Sequence, residues 1–372
     1  MRIVAVLIIS PDSAVPPAIC REGIKVTSAT MEDSIMIKWS GDKLMTEQTL
    51  MDKLDVSRVT VRRALEAMAD QGRVEHVRGR GCFVKAEQKT SRPGTIPFIL
   101  AHDDTLSRVL DIYKGAQDYL KARDCQVILA VSHYDIAYEC QQVLDFFKKG
   151  HRFMIVLSNS GSDSMDFYFD LMQKGASFVF VDKKPQDLPC DFIRSDNFTG
   201  GFLAARHLIE QGHRRIAVCS HEMPHQSLSI ADRIAGYRFA LKKYGVPFRE
   251  DSLHFAYGVG IEAMTESLLR QDEMPTALFC LNDIIAMHTY NALVNRGIRI
   301  PEQMSIIGFD NLSITADHVP SLSTIGQDFY GMGYRAAKVI YHRIQAQKQP
   351  FFDCALPVEL IVRDSSQPPA SR

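Results

Sequence analysis

Hydrophobic and polar positions repeat along this chain in two different rhythms. In Thr46 to Leu54 (TEQTLMDKL), Leu50 and Leu54 recur four apart, which predicts a short helix with both turned inward. Asp55-Val56 makes a tight link to Ser57, a good N-cap, after which Val61, Ala64, Leu65 and Met68 recur at i, i+3, i+4 and i+7. That stripe predicts a second helix, stopped at Gly72, and Val74, Val77, the turn Arg78-Gly79-Arg80-Gly81 and Cys82-Phe83-Val84 predict a two-stranded ribbon. From Ile96 onward, short apolar runs alternate with amphipathic stretches. Strands are expected at 96–101, 126–131, 153–157, 178–181, 215–219, 254–256, 277–280 and 305–308. Helices are expected at about 106–122, 136–149, 164–174, 198–211, 230–244, 261–270 and 284–296. This order implies parallel sheets covered by helices on both faces. Roughly 270 residues exceed one tidy doubly wound sheet, so the economical reading is two lobes with a cleft at the carboxyl ends of the strands.

Charge is concentrated in the first region. Residues 58–85 carry seven Arg and Lys against Glu66, Asp70 and Glu75, while the whole chain sums to −1. Arg58, Thr60, Arg62 and Arg63 lie mostly off the apolar stripe. Helix, short turn, helix and basic wing is the order of a winged helix-turn-helix, whose second helix enters a major groove while the wing lies along the neighbouring minor groove. Arginines on the exposed face suit guanine O6 and N7, Thr60 and the helix N-terminus suit phosphate, and the glycines let the wing backbone come close. GDKLMTEQTL followed by VSRVTVRRALEAMADQGRVEHVRGRGCFV resembles the DNA-binding domain of GntR-family bacterial regulators over about 45 residues. The resemblance implies operator DNA as a partner, contacted by Ser57, Arg58, Thr60, Arg62, Arg78, Gly79 and Arg80.

The remaining composition narrows the class. At 372 residues, 46% hydrophobic and 23% charged, the chain reads as a soluble protein of two or three domains. No apolar run approaches the roughly 20 residues that cross a bilayer. Eight cysteines are scattered without C-x-x-C spacing, which fits free thiols in a reducing cytosol and neither a disulfide framework nor a zinc site. Residues 1 to about 30 depart from the GntR pattern, and the segment 28–39 is a weak version of its first helix. A start at Met31 or Met36, or an additional strand, are the two readings of this stretch. MRIVAVLIIS has an apolar core at the short limit of an export signal and no A-x-A site after it, so an exported sugar receptor stands as the alternative to a cytoplasmic regulator.

Polar groups recur at the strand ends. His102-Asp103-Asp104 follow the first strand, Asn159 and Ser160 the third, Asp182 the fourth, Asn282-Asp283 follow Cys280, and Asp310-Asn311 follow Gly308-Phe309; Arg233 opens a helix in DRIAGY. Taken singly, Asn282 and Asp310 suit a helix cap or a loop. Their recurrence at one end of several strands suits the hydroxyls of a sugar, each of which donates and accepts. SDNxxGG, RHLIxxGHRRIA, DRIAGY, PTALFCLND, IPEQMSIIGFDN and PSLSTIGQ together resemble the effector-binding domain of LacI/GalR regulators over nearly all of 96–364. That resemblance implies a two-lobed periplasmic-binding-protein fold, an inducer or corepressor in the cleft, and dimerisation through the same domain. Arg233, Asn282 and Asp310 fall on the family's ligand-contacting positions, joined by Asp182; His102 and Asp103 are placed by their strand end alone, and Phe255 or Tyr257 is the candidate for an aromatic against the ligand. The order of the two domains resembles that of arabinose-operon repressors of Gram-positive bacteria in architecture.

The expected fold is therefore α/β, a winged helix-turn-helix followed by a two-lobed domain built on two parallel sheets with flanking helices. Its segments are 1–40, atypical; 41–85, DNA-binding; 86–95, a linker carrying Pro93-Gly94; 96–364, effector-binding and dimerising; and 365–372, a tail. No cofactor, metal or catalytic residue is expected. Gly331-Met332-Gly333-Tyr334-Arg335-Ala336 matches a dinucleotide fingerprint but opens an amphipathic helix and follows no strand. His207 and His213 flank a helix end as a last-turn cation and a cap, and Phe167-Tyr168-Phe169 reads as core or interface packing.

Overall fold

The structure, a computed structural model, describes residues 46–70, 74–77, 81–84, 94–101, 106–158, 164–271, 273–345 and 350–370. The chain separates into two compact units, Met1–Ser91 and Arg92–Arg372.

In the first unit, α1 (Glu47–Leu54) is capped by Thr46, whose hydroxyl accepts from the Thr49 N–H at 3.2 Å. It ends on Asp55, which turns left-handed at φ 52. Ser57 opens α2 (Arg58–Asp70) by accepting from the Thr60 N–H at 3.3 Å. Leu50, Val61 and Ala64 are buried between the helices. Strands β1 (Val74–Val77) and β2 (Gly81–Val84) pair antiparallel, Val74 opposite Val84 and Val77 opposite Gly81. The wing tip Arg78-Gly79-Arg80, the linker at 86–93, and the side chains of Leu54 and Met68 lie outside the described residues.

The second unit holds two six-stranded sheets. The first lobe runs in the order β13 (Asp353–Leu356), β7 (Asp191–Ser195), β6 (Ser177–Val181), β5 (Phe153–Leu157), β3 (Thr95–Leu100), β4 (Gln126–Val131). Every pairing in it is parallel. Its helices are α3 (Leu106–Lys121), α4 (Ile136–Lys148), α5 (Met165–Gln173) and α11 (Phe329–Gln345). The second lobe runs β14 (Glu359–Ile361), β12 (Ser323–Gly326), β11 (Ser305–Asp310), β10 (Ala277–Cys280), β8 (Ile216–Ser220), β9 (Leu253–Phe255), parallel except for β14. Helices α6 (Asn197–Glu210), α7 (Leu228–Lys243), α8 (Ile261–Leu269), α9 (Asp283–Val294) and short α10 (Ser313–Asp317) accompany it. The chain crosses between lobes three times, from β7 to α6, from β12 to α11 and from β13 to β14.

In each lobe one helix pair approaches at glycines. A Cβ on Gly201 of α6 would lie 2.0 Å from the Arg233 carbonyl oxygen on α7, and one on Gly236 would lie 2.0 Å from that of Phe198. Likewise a Cβ on Gly115 of α3 would meet the Tyr330 carbonyl oxygen of α11 at 2.0 Å, and one on Gly333 that of Ile112 at 1.8 Å. Gly333 thus serves backbone contact between two helices, which accounts for the second glycine of the fingerprint-like GMGYRA inside α11.

Four strands are additions to the sequence reading: β7, β12, β13 and β14. Each has three to five residues. β12 is Ser-Thr-Ile-Gly, with no apolar run to mark it. Residues 365–367, assigned to a tail, are instead built into the second lobe: the Ser365 hydroxyl donates to the Ile306 carbonyl at 2.7 Å, and Ser305 Oγ donates to the Gln367 carbonyl at 2.9 Å. His213 joins Thr276 Oγ1 at 2.8 Å and Gln367 O at 2.9 Å, and His207 joins Ser366 Oγ at 2.9 Å. Burial holds both imidazoles below their usual pKa, so His207 is a neutral tether to the C-terminal segment and not the cation expected of it.

Candidate functional site

The DNA-facing candidates on α2 sit as their spacing requires. Arg58, Arg62 and Arg63 are exposed, while Thr60 is half-buried beside its cap. Glu47 of α1 reaches across to Arg62 Nε at 3.2 Å and lies 3.9 Å from Arg58 Nε. Exposed pairs of this kind are worth about 0–1 kcal/mol, little enough for a phosphate or a base edge to displace. Val59, on neither the apolar stripe nor the list of DNA-facing residues, is 62% exposed between Arg58 and Arg62 in the chain. An apolar residue off the buried stripe is the signal available in the sequence.

In the second unit the candidates converge where the strand ends of both lobes meet. Arg233 on α7 is 4% exposed. Its Nε donates to Asn197 Oδ1 at 2.8 Å, its Nη1 donates to the Leu281 carbonyl, and its guanidinium lies 3.6 Å from the centre of the Phe309 ring. Asp310, at the end of β11, stands 3.9 Å from Arg233 Nη1 and accepts from Gln327 Nε2 at 2.5 Å. Asp182, following β6, stands 3.8 Å from Arg108 of α3. Lys183 of the first lobe donates to Glu222 of the second at 2.5 Å, a bond directly across the cleft.

The backbone here is held in sparsely populated conformations. Asp182 has φ 62, and Asp310 and Asn311 have φ 127 and 57 in succession. Such residues cost on the order of 1–3 kcal/mol each and persist where surrounding structure fixes them. Asp283 does the fixing for Asp310: buried beneath the loop, it accepts from the Leu312 N–H at 2.8 Å and from Thr324 Oγ1 at 2.6 Å.

Burial dominates the electrostatics. It lowers the pKa of Arg233 and raises that of Asp310, so even at 3.9 Å their attraction does not offset the loss of water. Burial, then the charge of Asp310, pushes Asp283 up to about 8 against the two hydrogen bonds that favour its anion. Burial would raise Glu222 too, but Lys183, with help from Ser227 and Arg233, brings it below its ordinary value. Asp182 Oδ1 and Gln327 Oε1 are buried and accept no hydrogen bond. Among the described residues the site therefore offers buried acceptors, with cations and carboxylates balanced: Arg108, Lys183 and Arg233 against Asp182, Glu222 and Asp310.

Of the residues named from sequence, the structure brings Asp182, Arg233 and Asp310 together. Asn282 caps α9, its Oδ1 accepting from the Ile285 N–H at 2.8 Å, which leaves its amide N–H groups unengaged by the cap. His102, Asp103, Asn159 and Ser160 lie outside the described residues. Arg108, Lys183, Asn197, Glu222 and Gln327 carried no site assignment from sequence. Asn197 and Gln327 were visible inside SDNxxGG and STIGQ, whereas Arg108, Lys183 and Glu222 gave no signal. The aromatics that meet the cluster are Phe309, below Arg233, and Phe329, whose ring centre lies 5.9 Å from the Arg108 guanidinium; neither Phe255 nor Tyr257 has a ring contact with it among the described residues.

A cleft with polar, charge-balanced walls on a two-lobed sensor, carried on the same chain as a winged helix with exposed arginines, defines a ligand-responsive DNA-binding regulator. The gntR family of bacterial regulatory proteins matches residues 39–84, and the periplasmic binding protein-like domain matches residues 205–366. The arabinose metabolism transcriptional repressor of Geobacillus stearothermophilus is 27% identical over 347 residues, 88% of this chain and 92% of that protein. The HTH-type transcriptional repressor PurR of Pasteurella multocida is 30% identical over 215 residues, 57% of this chain and 63% of its own length. A LacI-family transcriptional regulator from Enterococcus faecium, solved with bound ribose, aligns at a TM-score of 0.62 with 30% identity over 74% of this chain and 99% of that one. The chain belongs to the bacterial transcriptional regulators that join a gntR-family DNA-binding domain to a LacI-type periplasmic-binding-protein-like domain. A DNA-binding domain at 39–84 sets aside the exported sugar receptor.

Proposed function

We propose that this regulator is a cytoplasmic homodimer that represses a carbohydrate-utilisation operon and leaves its operator when a small sugar occupies the cleft. The observation that carries the effector class is the pair of buried acceptors without donors, Asp182 Oδ1 and Gln327 Oε1, in a cleft where the charges of the described residues balance. A neutral polyol supplies O–H donors to both without bringing a charge that the cleft would have to neutralise. Asp182, Arg233, Asn282 and Asp310 are its contacts, joined by His102 and Asp103 at the end of β3. The ribose-bound relative and the arabinose repressor point to the same class. Operator DNA is met by Ser57, Arg58, Thr60 and Arg62, with Arg78, Gly79 and Arg80 on the wing.

For the dimer, the support is edge strand β4, which leaves Ile128 and Leu129 37% and 42% exposed, beside exposed Tyr134 and Tyr138. An apolar open edge is the kind of surface proteins cover. A sugar that binds one arrangement of the lobes better than the other, by about 1–3 kcal/mol, changes operator affinity roughly 5- to 150-fold.

The test is thermal melting against pentoses, hexoses, uronic acids and disaccharides, since a ligand at 100 times its Kd stabilises its domain by about 2.7 kcal/mol. One sugar raises the melting temperature and weakens operator binding; the absence of any shift across the panel would overturn the sugar assignment. In Arg233→Ala the shift disappears while operator binding persists.

A further inference from the structure

The second lobe carries another recess at the opposite end of its sheet from the cleft. It has a volume of about 470 Å³ and lies between α7, the first residues of β8, the segment leading into β9, and the end of α8. Its walls are apolar where Ile216, Val246, Pro247 and Leu253 line it, and its rim carries Arg214, Arg215, Arg249 and Arg270. Asp251 and Glu273 are the acids of the same lining, so cations are in excess. Arg249 is occupied by Asp251, at 2.8 Å, and Arg270 by Glu266 of its own helix. Arg214 and Arg215 differ from them. Arg214 Nη1 donates to the Ile209 and His213 carbonyls at 2.9 Å, and Arg215 Nε donates to the Met274 carbonyl at 3.1 Å; among the described residues neither forms an ion pair. Carbonyl bonds fix the two guanidiniums in place without neutralising them.

We propose that this recess is a second ligand site, for a small organic phosphate whose phosphoryl group is held by Arg214 and Arg215 and whose uncharged body lies against the apolar wall. Planar guanidiniums with free N–H groups match phosphate oxygens in pairs. The volume is several times that of a phosphate ion and within the range of roughly 300–1,000 Å³ typical of small-molecule sites. Ser252, Ser267 and Gln271 line the recess and supply neutral hydrogen-bonding groups for the body. Two elements connect this site to the cleft. β8 begins in the recess at Ile216 and delivers Glu222 to the cleft just beyond its end, and α7 carries Arg233 in the cleft and Tyr237, one turn on, in the recess. Tyr237 in turn donates to the Ile216 carbonyl at 2.8 Å. A phosphate bound here thus acts on the same helix that positions Arg233.

The test uses the full chain and three probes, AMP, ribose 5-phosphate and adenosine, read by calorimetry and by the shift in melting temperature. Both phosphates are expected to bind and adenosine not to. Binding should weaken as salt rises, survive in Arg233→Ala, and fall at least tenfold in Arg214→Ala and in Arg215→Gln, which is the milder change should the alanine variant unfold. No binding of either phosphate, equal binding of adenosine, or binding lost in Arg233→Ala but retained in both rim variants would each overturn the proposal. Because the sugar response is read at Arg233 and this one at Arg214 and Arg215, failure of either leaves the other intact.

Discussion

Arg233→Ala removes the cation around which the cleft is assembled, and the structure sets the size of the effect. The side chains of Arg233 and Asp310 are 5% and 3% exposed, so solvent screening does little to weaken the pair. At 3.9 Å and an effective dielectric of about 20, their attraction is on the order of 4 kcal/mol. Removing one partner of such a buried pair typically costs about 3–5 kcal/mol, because the other is left buried and uncompensated. The Asn197 amide oxygen and the Leu281 carbonyl lose their donor as well. Asp310, already raised by burial, rises further once its cation is gone, and its readier protonation limits the loss. In a domain of this size, where 1 kcal/mol shifts the melting temperature by roughly 2–4 °C, the expected fall is about 6–20 °C. Adding Asp310→Asn removes the stranded carboxylate while keeping the acceptor for Gln327, so the double variant should melt higher than Arg233→Ala alone. Calorimetry of the wild type, both single variants and the double variant gives the coupling directly. If the losses of the two single variants simply add, to within about 0.5 kcal/mol, Arg233 is a packing residue and the electrostatic account fails.

Further outcomes follow from the same geometry. Asp283 is held at about 8, above its unfolded value, so the folded state keeps a proton that the unfolded state releases. Its contribution is complete below about pH 4 and is lost as pH rises through 8, at up to about 1.4 kcal/mol per pH unit; Asp283→Asn should flatten the dependence of the melting temperature over that window, and an unchanged profile would assign the slope elsewhere. Gly201→Ala drives a Cβ to 2.0 Å from the Arg233 carbonyl oxygen, forcing α6 and α7 apart. It should cost at least the roughly 1–3 kcal/mol of core overpacking in urea denaturation and impair the sugar response, while Gly150→Ala, with nothing within 4 Å, pays only for its left-handed backbone. Arg62→Ala should weaken operator binding by about 1–3 kcal/mol and relax base preference at one position, measured by gel shift at fixed salt; unchanged affinity would remove Arg62 from the interface. Leu129→Lys on the open edge of β4 should shift sedimentation toward the monomer, whereas an unaltered dimer would place the contact on another face.

Much of this protein was determined by its sequence alone, because the signals were local. An N-capping serine, an apolar stripe at helical spacing, a glycine stop and a basic ribbon lie within thirty residues, so the winged helix could be read without knowing any long-range contact. The same holds for the seven helices and eight strands whose apolar runs announced them, and for Arg233 and Asp310, which sit in dense motifs. The tertiary structure alone decided which lobe each strand joins, since three crossings return α11 and β13 to the first sheet and β14 to the second. It also decided how the site is made. Asn197 and Gln327 become site residues because Arg233 and Asp310 are their partners, Asn282 spends its oxygen on a helix cap, and Lys183 meets Glu222 only because two lobes face each other. A residue pattern specifies which face a side chain takes on its own helix or strand. Which distant side chain it then meets depends on how the chain is routed between sheets, and no local spacing encodes that route.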